Sequence, residues 1–455
     1  MATPGLKLCT NDAIYNDPKN LALHDYAFGT DQFKLTKDML QVLDQHAEEA
    51  GFLTILRDYA VRAPHYDLSE LGEHDSRLEA HLDALQISAV KGLDILLSGL
   101  NLKTTWGEVF VATVLAFQSN NTIVLSKLAE HLRTSPETER FFAAALGWLD
   151  LCVVVPWIER MLASPEPLFR RIGLAACGMH RHDPGPALLA GLSHADPGVL
   201  ARAARTAGEL RRRDLMPAIR AHRQHQEAAP RFWANWATAQ MGDEEALEPL
   251  RQFAEQAGEF QYRALCVLLA WQQRERSIAW IRQLMQNPEQ RRIGIQAVGL
   301  LGDPVSVPWL VQQMSDPPHA RVAGEAFSLM TGADLALLDL ELQDLPDFDA
   351  GPNDDPEDAN VVMDPDENLP WPDPPLIAAW WQAHAGDFQA GVGYVLGLRQ
   401  SESSYRQALV RGQQRQRIAA ACGMARLRPT EVLFPTSAPA WRQKALLGEP
   451  AGFGR

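Results

Sequence analysis

The 455-residue chain is 46% hydrophobic and 22% charged, the balance of an ordinary soluble protein with apolar mass for two or three compact domains or one elongated solenoid. No apolar run reaches the roughly 18–20 residues a membrane span needs, and Met1-Ala2-Thr3-Pro4-Gly5 lacks a basic region followed by an apolar one, so the expectation is a cytoplasmic protein outside the general export route. A net charge of −15 argues against indiscriminate attraction to nucleic acid or anionic membrane, but the charge is unevenly divided: Arg202 to Arg231 is arginine-rich and Asp334 to Asp373 almost purely acidic.

Residues 1–37 carry Asn, Asp, Pro and Gly with scattered aromatics (Tyr15, Tyr26, Phe28, Phe33) and no period, which suits an N-terminal extension, either an irregular arm or a short strand pair. Residues 38–105 form an expected helical cap. The spacing Met39, Val42, Leu43, His46, Ala50, Leu53, Leu56 predicts a helix from Asp38 to Ala60, which Pro64 stops. Ser69 opens a second helix with Leu71, His74, Leu78, His81, Leu82 and Leu85 on one side, and a third runs through Leu93, Leu96 and Leu97.

From 106 to 332 one pattern returns. The last position of Arg170-Arg171-Ile172-Gly173-Leu174-Ala175-Ala176-Cys177-Gly178 recurs at Phe117, Gly147, Gly178, Gly208, Ala239, Ala270, Gly299 and Leu329, in steps of 29 to 31 residues. A proline or its stand-in, followed by an apolar run, travels with it: Pro156-Trp157-Ile158, Pro186-Ala187-Leu188, Pro217-Ala218-Ile219, Pro249-Leu250, Ala279-Trp280-Ile281 and Pro308-Trp309-Leu310. A turn such as Asp196-Pro197 or Asp316-Pro317 closes the unit, so each unit is two helices. Proline is tolerated in a first helical turn, where its missing N–H would be unpaired, and the preceding Asp accepts from freed N–H groups. One pair cannot bury its own apolar stripe, so pairs must stack.

These residues resemble the HEAT-like repeat in its short form, first described in phycobilisome lyases, best seen at Asp196-Pro197-Gly198-Val199-Leu200-Ala201-Arg202-Ala203-Ala204 and at Arg292 to Pro304. The resemblance is to the repeat and implies no bilin-lyase chemistry. The entry region is narrower in its likeness: His46 to Leu53, Arg62 to Leu68 and His74 to Leu85 are similar to the opening of an uncharacterised proteobacterial family with HEAT-like repeats. That likeness covers Asp38 onward, implies a setting in type VI secretion gene clusters, and carries over no catalytic residues.

Past Gly332 the period fails. Residues 333–375 hold Asp344, Asp347, Asp349, Asp354, Asp355, Glu357, Asp358, Asp364, Asp366, Glu367 and Asp373 among prolines, which suits either a solvated insertion or an acidic strap over an arginine-rich surface such as that around Arg205. Residues 376–455 form an expected C-terminal helical cap, in which Arg415 to Gly423 repeats the template once more.

No phosphate-cradling or serine-hydrolase motif occurs. His46, Glu49, His74 and His81 lack the duplicated Glu-x-x-His of di-metal bundles, so structural histidines are expected there, and His180-Arg181-His182-Asp183 suits an inter-repeat loop. The cysteines Cys9, Cys152, Cys177, Cys266 and Cys422 are far apart and suit reduced, packed thiols. Trp233, Trp236, Trp271, Trp280 and Trp309 suit core positions. The repeated Arg171, Arg202, Arg231, Arg263, Arg292 and Arg321 are expected to pair with aspartates of adjoining turns. Arg205, Arg211, Arg212, Arg213, Arg220 and Arg223 are not demanded by the repeat and are candidates for an acidic partner.

The expectation is therefore an all-α, right-handed HEAT-like solenoid of antiparallel helix pairs with helical caps at both ends. Its function is a noncatalytic protein-binding scaffold, without cofactor or metal, that contacts its partner through Arg202, Arg205, Arg211, Arg212, Arg213, Arg220, Arg223, Arg231 and Trp233. The family setting implies a cytoplasmic adaptor or chaperone for a type VI secretion effector or spike component. An immunity protein that covers a toxin is the close alternative, and a DNA-glycosylase-like HEAT enzyme the alternative from another class.

Overall fold

In the computed structural model, residues 36–87, 105–348, 350–351 and 363–449 are described. The expected N-terminal arm, the helix through Leu93 to Leu97, Cys9, Asp349 and the run from Asp354 to Asp358 lie outside them. Two compact units divide the chain: Met1–Phe52 with Leu78–Trp157, and Leu53–Arg77 with Ile158–Arg455. These joints fall inside helices, not at the composition changes near 105 and 332.

The first unit takes part of α1 (Lys37–Ala60) and α2 (Leu68–Ile87), then α3 (Trp106–Gln118), α4 (Thr122–Thr134), α5 (Glu139–Trp148) and the start of α6 (Leu151–Leu162). Thr105 and Glu108 cap α3 reciprocally, each satisfying a backbone N–H of the first turn. Gly107 lies so close to Gly51 that a methyl group there would overlap the Gly51 carbonyl. Phe117, at the first repeat position, packs edge-on against Phe142 and Trp157.

In the second unit α7 (Pro167–His180) is followed by the pairs α8 (Pro186–Leu192) with α9 (Pro197–Leu210), α10 (Met216–Arg220) with α11 (Ala228–Gln240), α12 (Leu247–Glu255) with α13 (Gln261–Trp271), α14 (Arg274–Gln286) with α15 (Arg291–Leu301), and α16 (Val307–Gln313) with α17 (Pro317–Thr331). The repeat marks map onto them directly. Pro197 occupies the first turn of α9, and Asp196 accepts from the Val199 N–H at 2.9 Å. The apolar residue after each proline mark, Leu188, Ile219, Leu250, Ile281 and Leu310, is buried to 3% exposure or less. Each such burial stabilises by about 1.5–3 kcal/mol. The recurring small residue sits near the end of each second helix, where it lets successive second helices touch: a methyl group on Gly208 would lie 2.8 Å from Ala237, and one on Gly299 2.9 Å from Ala326. The fold class is thus all-α, with antiparallel pairs stacked as a solenoid and one continuous core from Leu174 to Met330.

The chain then turns back. The acidic stretch is closed at its base where the Leu342 N–H donates to Trp371 O at 2.8 Å and the Asp373 N–H to Leu340 O at 2.9 Å. α18 (Pro374–His384), capped by Asp373, packs on α16. A two-residue hairpin, β1 (Tyr394–Val395) and β2 (Leu398–Arg399), sets Tyr394 opposite Arg399 and is fastened to the stack by Tyr394 N–H to Gly302 O and Leu396 N–H to Leu329 O. α19 (Glu402–Arg411) and α20 (Gln414–Leu427) follow, and α21 (Ala440–Leu447) ends the described chain.

α20 carries the ninth copy of the template, yet it does not close the end of the stack. It lies along the second-helix face against α13 and α11. Tyr262 Oη donates to Arg415 O at 3.0 Å, the Arg211 guanidinium to Ala425 O, and the Leu433 N–H to Glu209 O. Residues 53–77 join the same body: the Gln414 N–H donates to Tyr66 O, and Asp75, paired with Arg57 at 2.6 Å, accepts from the Ala440 N–H. Fully buried Arg417 is held by Leu409 O, Gln414 and Gln443.

Candidate protein-interaction surface

The repeated arginines face different partners although all fall in successive second helices, within one position of the same place in the template. Arg171 meets Asp196 of the adjoining turn at 3.6 Å, as the repeat pattern predicts. The other five depart from that expectation. Arg202 turns along its own helix to Glu209 at 2.7 Å, and Arg231 donates to the carbonyls of His225 and Gln226. Arg292 grips Asp366 with two bonds of 2.6 Å, Arg321 pairs with Asp364, and Arg263 makes no hydrogen bond or ion pair among the described residues.

Glu209 is the centre of the arginine-rich stretch. It is buried, and Arg202, Arg205 at 2.9 Å and Arg181 at 3.7 Å converge on it. Burial favours its neutral form, but the three guanidiniums win and hold the carboxyl at about 2. Burial pulls the Arg202 guanidinium down to about 10 against the help of Glu209. Beside the cluster, Trp233 offers its indole to two cations, with Arg205 4.6 Å and Arg263 5.9 Å from the ring centre. Trp233 itself is 9% exposed and packs edge-on to Phe232 and Trp236.

The remaining candidates do not gather on that patch. Arg211 caps α9 with a left-handed backbone and is buried against Trp271. Arg212 pairs with Asp183 and Asp214. Arg213 is exposed and, among the described residues, has no ion-pair partner. Arg220 and Arg223 share Asp243, and Arg223 also reaches Glu245. The structure therefore brings Arg202, Arg205 and Trp233 together, adds Arg181, Glu209 and Arg263, leaves Arg231 in α11 bonded to its own turn carbonyls, and leaves the others at turns and first helices. The spacing of Arg205 and Glu209, four residues apart on one helix, is the sequence signal that finds the cluster's centre.

In its described residues the acidic segment is a strap in part, and these residues sit elsewhere than over Arg205. Asp364 and Asp366 sit on Arg321, Arg292 and Arg415, the last of which also holds Glu325 at 2.7 Å. Asp366 is buried, yet its carboxyl stays below the usual range because bonds from Arg292 and the charge of Arg415 outweigh burial. Glu325 is pushed the other way, since burial outweighs the guanidinium of Arg415 bonded to it. Asp344 and Asp347 are exposed, as a solvated insertion requires.

His74 is buried and its Nε2 meets Leu53 O at 2.8 Å, while His46 and His81 approach Nδ1 to Nδ1 at 3.0 Å. Among the described residues no group of three or more His, Cys, Asp or Glu is arranged to hold a metal ion. A cavity of about 320 Å³ lies between the ends of α13 and α15 and the returning α19 and α20, lined by Gln272, Arg274, Gln400, Tyr405 and Arg426 with small and apolar residues. No Asp, Glu or His belongs to that lining.

Residues 185–267 match the family of HEAT repeats. The matched span holds Arg202, Arg205, Glu209, Trp233 and Arg263. Comparison with curated proteins returns no match. HEAT repeats are commonly protein-interaction scaffolds, since their stacked helices present long continuous faces. Among the described residues no helix is long and apolar enough to cross a membrane.

Proposed function

We propose that this chain is a noncatalytic protein-binding scaffold and that, in the type VI secretion setting implied by its entry region, it is a cytoplasmic adaptor or chaperone for an effector or spike component. The observation that carries this is the arginine patch floored by Trp233, within the span that matches HEAT repeats: several guanidiniums surround the single carboxylate Glu209. Charge-assisted bonds from arginine forks to carboxylates are strong and directional, and arginine and tryptophan are favoured anchors at protein interfaces. Of the expected contact residues, Arg205 and Trp233 form the centre of the proposed surface. Arg213 and Arg220 are exposed but stand apart from that centre, Arg220 on Asp243.

A photo-cross-linking amino acid placed at exposed position 259, beside the Phe260 that packs edge-on to Trp233, tests this in the native host while leaving the patch arginines intact. The expected product is an adduct with a secreted effector or a spike protein; cross-links to nucleic acid, or none to protein, refute the scaffold. Deleting the gene separates the roles: loss of secretion without self-intoxication assigns loading, whereas self-intoxication assigns immunity and removes the adaptor assignment.

A further inference from the structure

We infer that Arg263, Arg205 and the indole of Trp233 form a seat for a carboxylate on an extended acidic segment of a partner protein. This rests on the scaffold function proposed above and names the chemistry of its partner. The chain supplies its own precedent. At the equivalent position one repeat on, Arg292 holds Asp366, and a repeat further Arg321, one position earlier in the template, holds Asp364, so two carboxylates of a single Asp-Pro-Asp stretch lie on successive second helices. Two repeats before Arg263, Arg202 is satisfied by Glu209 of its own helix, and one repeat before, Arg231 is satisfied by turn carbonyls. Arg263 has no such partner among the described residues.

Its surroundings make that vacancy costly. Arg263 is half-buried, and burial together with the charge of Arg205 pulls its guanidinium down to about 10. Arg205 is only partly used: Nε donates to Glu209, while its Nη1 and Nη2 make no hydrogen bond among the described residues. Both cations lie over the Trp233 ring, a flat apolar floor that lowers the local dielectric. An arriving carboxylate would meet two under-used forks, and it would replace water on groups that already lack full hydration. A carboxylate is favoured over a phosphodiester because the acidic precedent in this molecule is Asp.

The test is fluorescence anisotropy with a labelled peptide of sequence Met-Asp-Pro-Asp-Glu-Asn, copied from residues 363–368, and with its counterpart in which every acid is an amide. The full-length protein is expected to bind the acidic form at least about tenfold more tightly, as loss of a charge-assisted pair implies. Arg263→Gln and, independently, Arg205→Gln should each abolish that preference, whereas Arg292→Gln should not. Equal binding of the two peptides by the wild-type protein overturns the seat without any variant having to fold. So does a preference that survives Arg263→Gln, or a short single-stranded DNA that binds through Arg263 as tightly as the peptide. Failure here with a protein adduct from position 259 removes only the acidic partner; failure of both removes the scaffold as well.

Discussion

Replacing Glu209 by Gln removes the charge on which Arg181, Arg202 and Arg205 converge while keeping the side chain's size. Those guanidiniums hold the carboxyl at about 2 instead of the ordinary 4.5, and Glu209 is 6% exposed, so little solvent screening intervenes. At about 1.4 kcal/mol per pKa unit the ionised form is worth on the order of 3 kcal/mol to the folded state near neutral pH, in line with the roughly 3–5 kcal/mol for breaking one side of a buried pair. The sign follows from the direction of the shift. A depressed carboxylate contributes fully above its unfolded pKa, and the contribution fades as pH falls through the folded value. Linkage over that window leaves about 2 kcal/mol near pH 3.5. Urea unfolding followed by tryptophan fluorescence should therefore show Glu209→Gln less stable than the wild type by about 3 kcal/mol near pH 7 and by about 2 kcal/mol near pH 3.5. A difference that does not change with pH, or one below about 1 kcal/mol at neutral pH, would refute the buried carboxylate as the cluster's keystone.

Asp366→Asn should cost about 1.5–3 kcal/mol at neutral pH by weakening the bonds from Arg292 and Arg415. Because the Asp366 carboxyl is depressed, that cost should shrink in urea titrations below about pH 4, the ordinary aspartate value. Gly302, at φ +69°, sits under the Tyr394 carbonyl, so Gly302→Asn should lower the melting temperature by several degrees although Asn tolerates that backbone. The same change at Gly448, at φ +66° with no atom nearer than 3.8 Å to an added Cβ, should be nearly neutral in the same melt. Iodoacetamide under native conditions should modify exposed Cys152 and spare Cys177, Cys266 and Cys422, with peptide mapping as the readout. Burial pushes the thiols of Cys177 and Cys422 up to about 12 and about 11 and that of Cys266 upward too; labelling of these three before unfolding would contradict the packing.

The helix pairs are legible in the sequence because their determinants are local. A proline in the first turn, a small residue at the end of the second helix and a buried Leu or Ile between them recur within one period, and stacking of neighbours does the rest. The return of the chain is not legible on those terms. Arg415 to Gly423 satisfies the repeat template as well as any other copy, but the template specifies a helix with a small-residue face and not the neighbour against which that face rests. The small face of α20 meets α19 instead, with the Tyr405 ring over Gly423. Its other contacts, Tyr262 with Arg415 and Gln240 with Cys422, join residues more than 150 positions apart, beyond any period.

The arginines show where local pattern stops deciding partners. The repeat places an arginine near the same point of each second helix; what each one binds is set by whatever else reaches it. The returning chain reaches the α15 and α17 end with an Asp-Pro-Asp stretch and satisfies Arg292 and Arg321 there. Toward α9 it arrives as Leu433, bonded through its backbone to Glu209 and Arg181, and brings no carboxylate. Among the described residues, Arg263 and the outer nitrogens of Arg205 are consequently the guanidinium groups of this patch left without an acid. They lie beside a tryptophan whose apolar face strengthens any ion pair formed there. Among the described residues, the stack thus meets carboxylates of its own acidic strap at Arg292 and Arg321, and only backbone groups of the returning chain at Arg181 and Glu209.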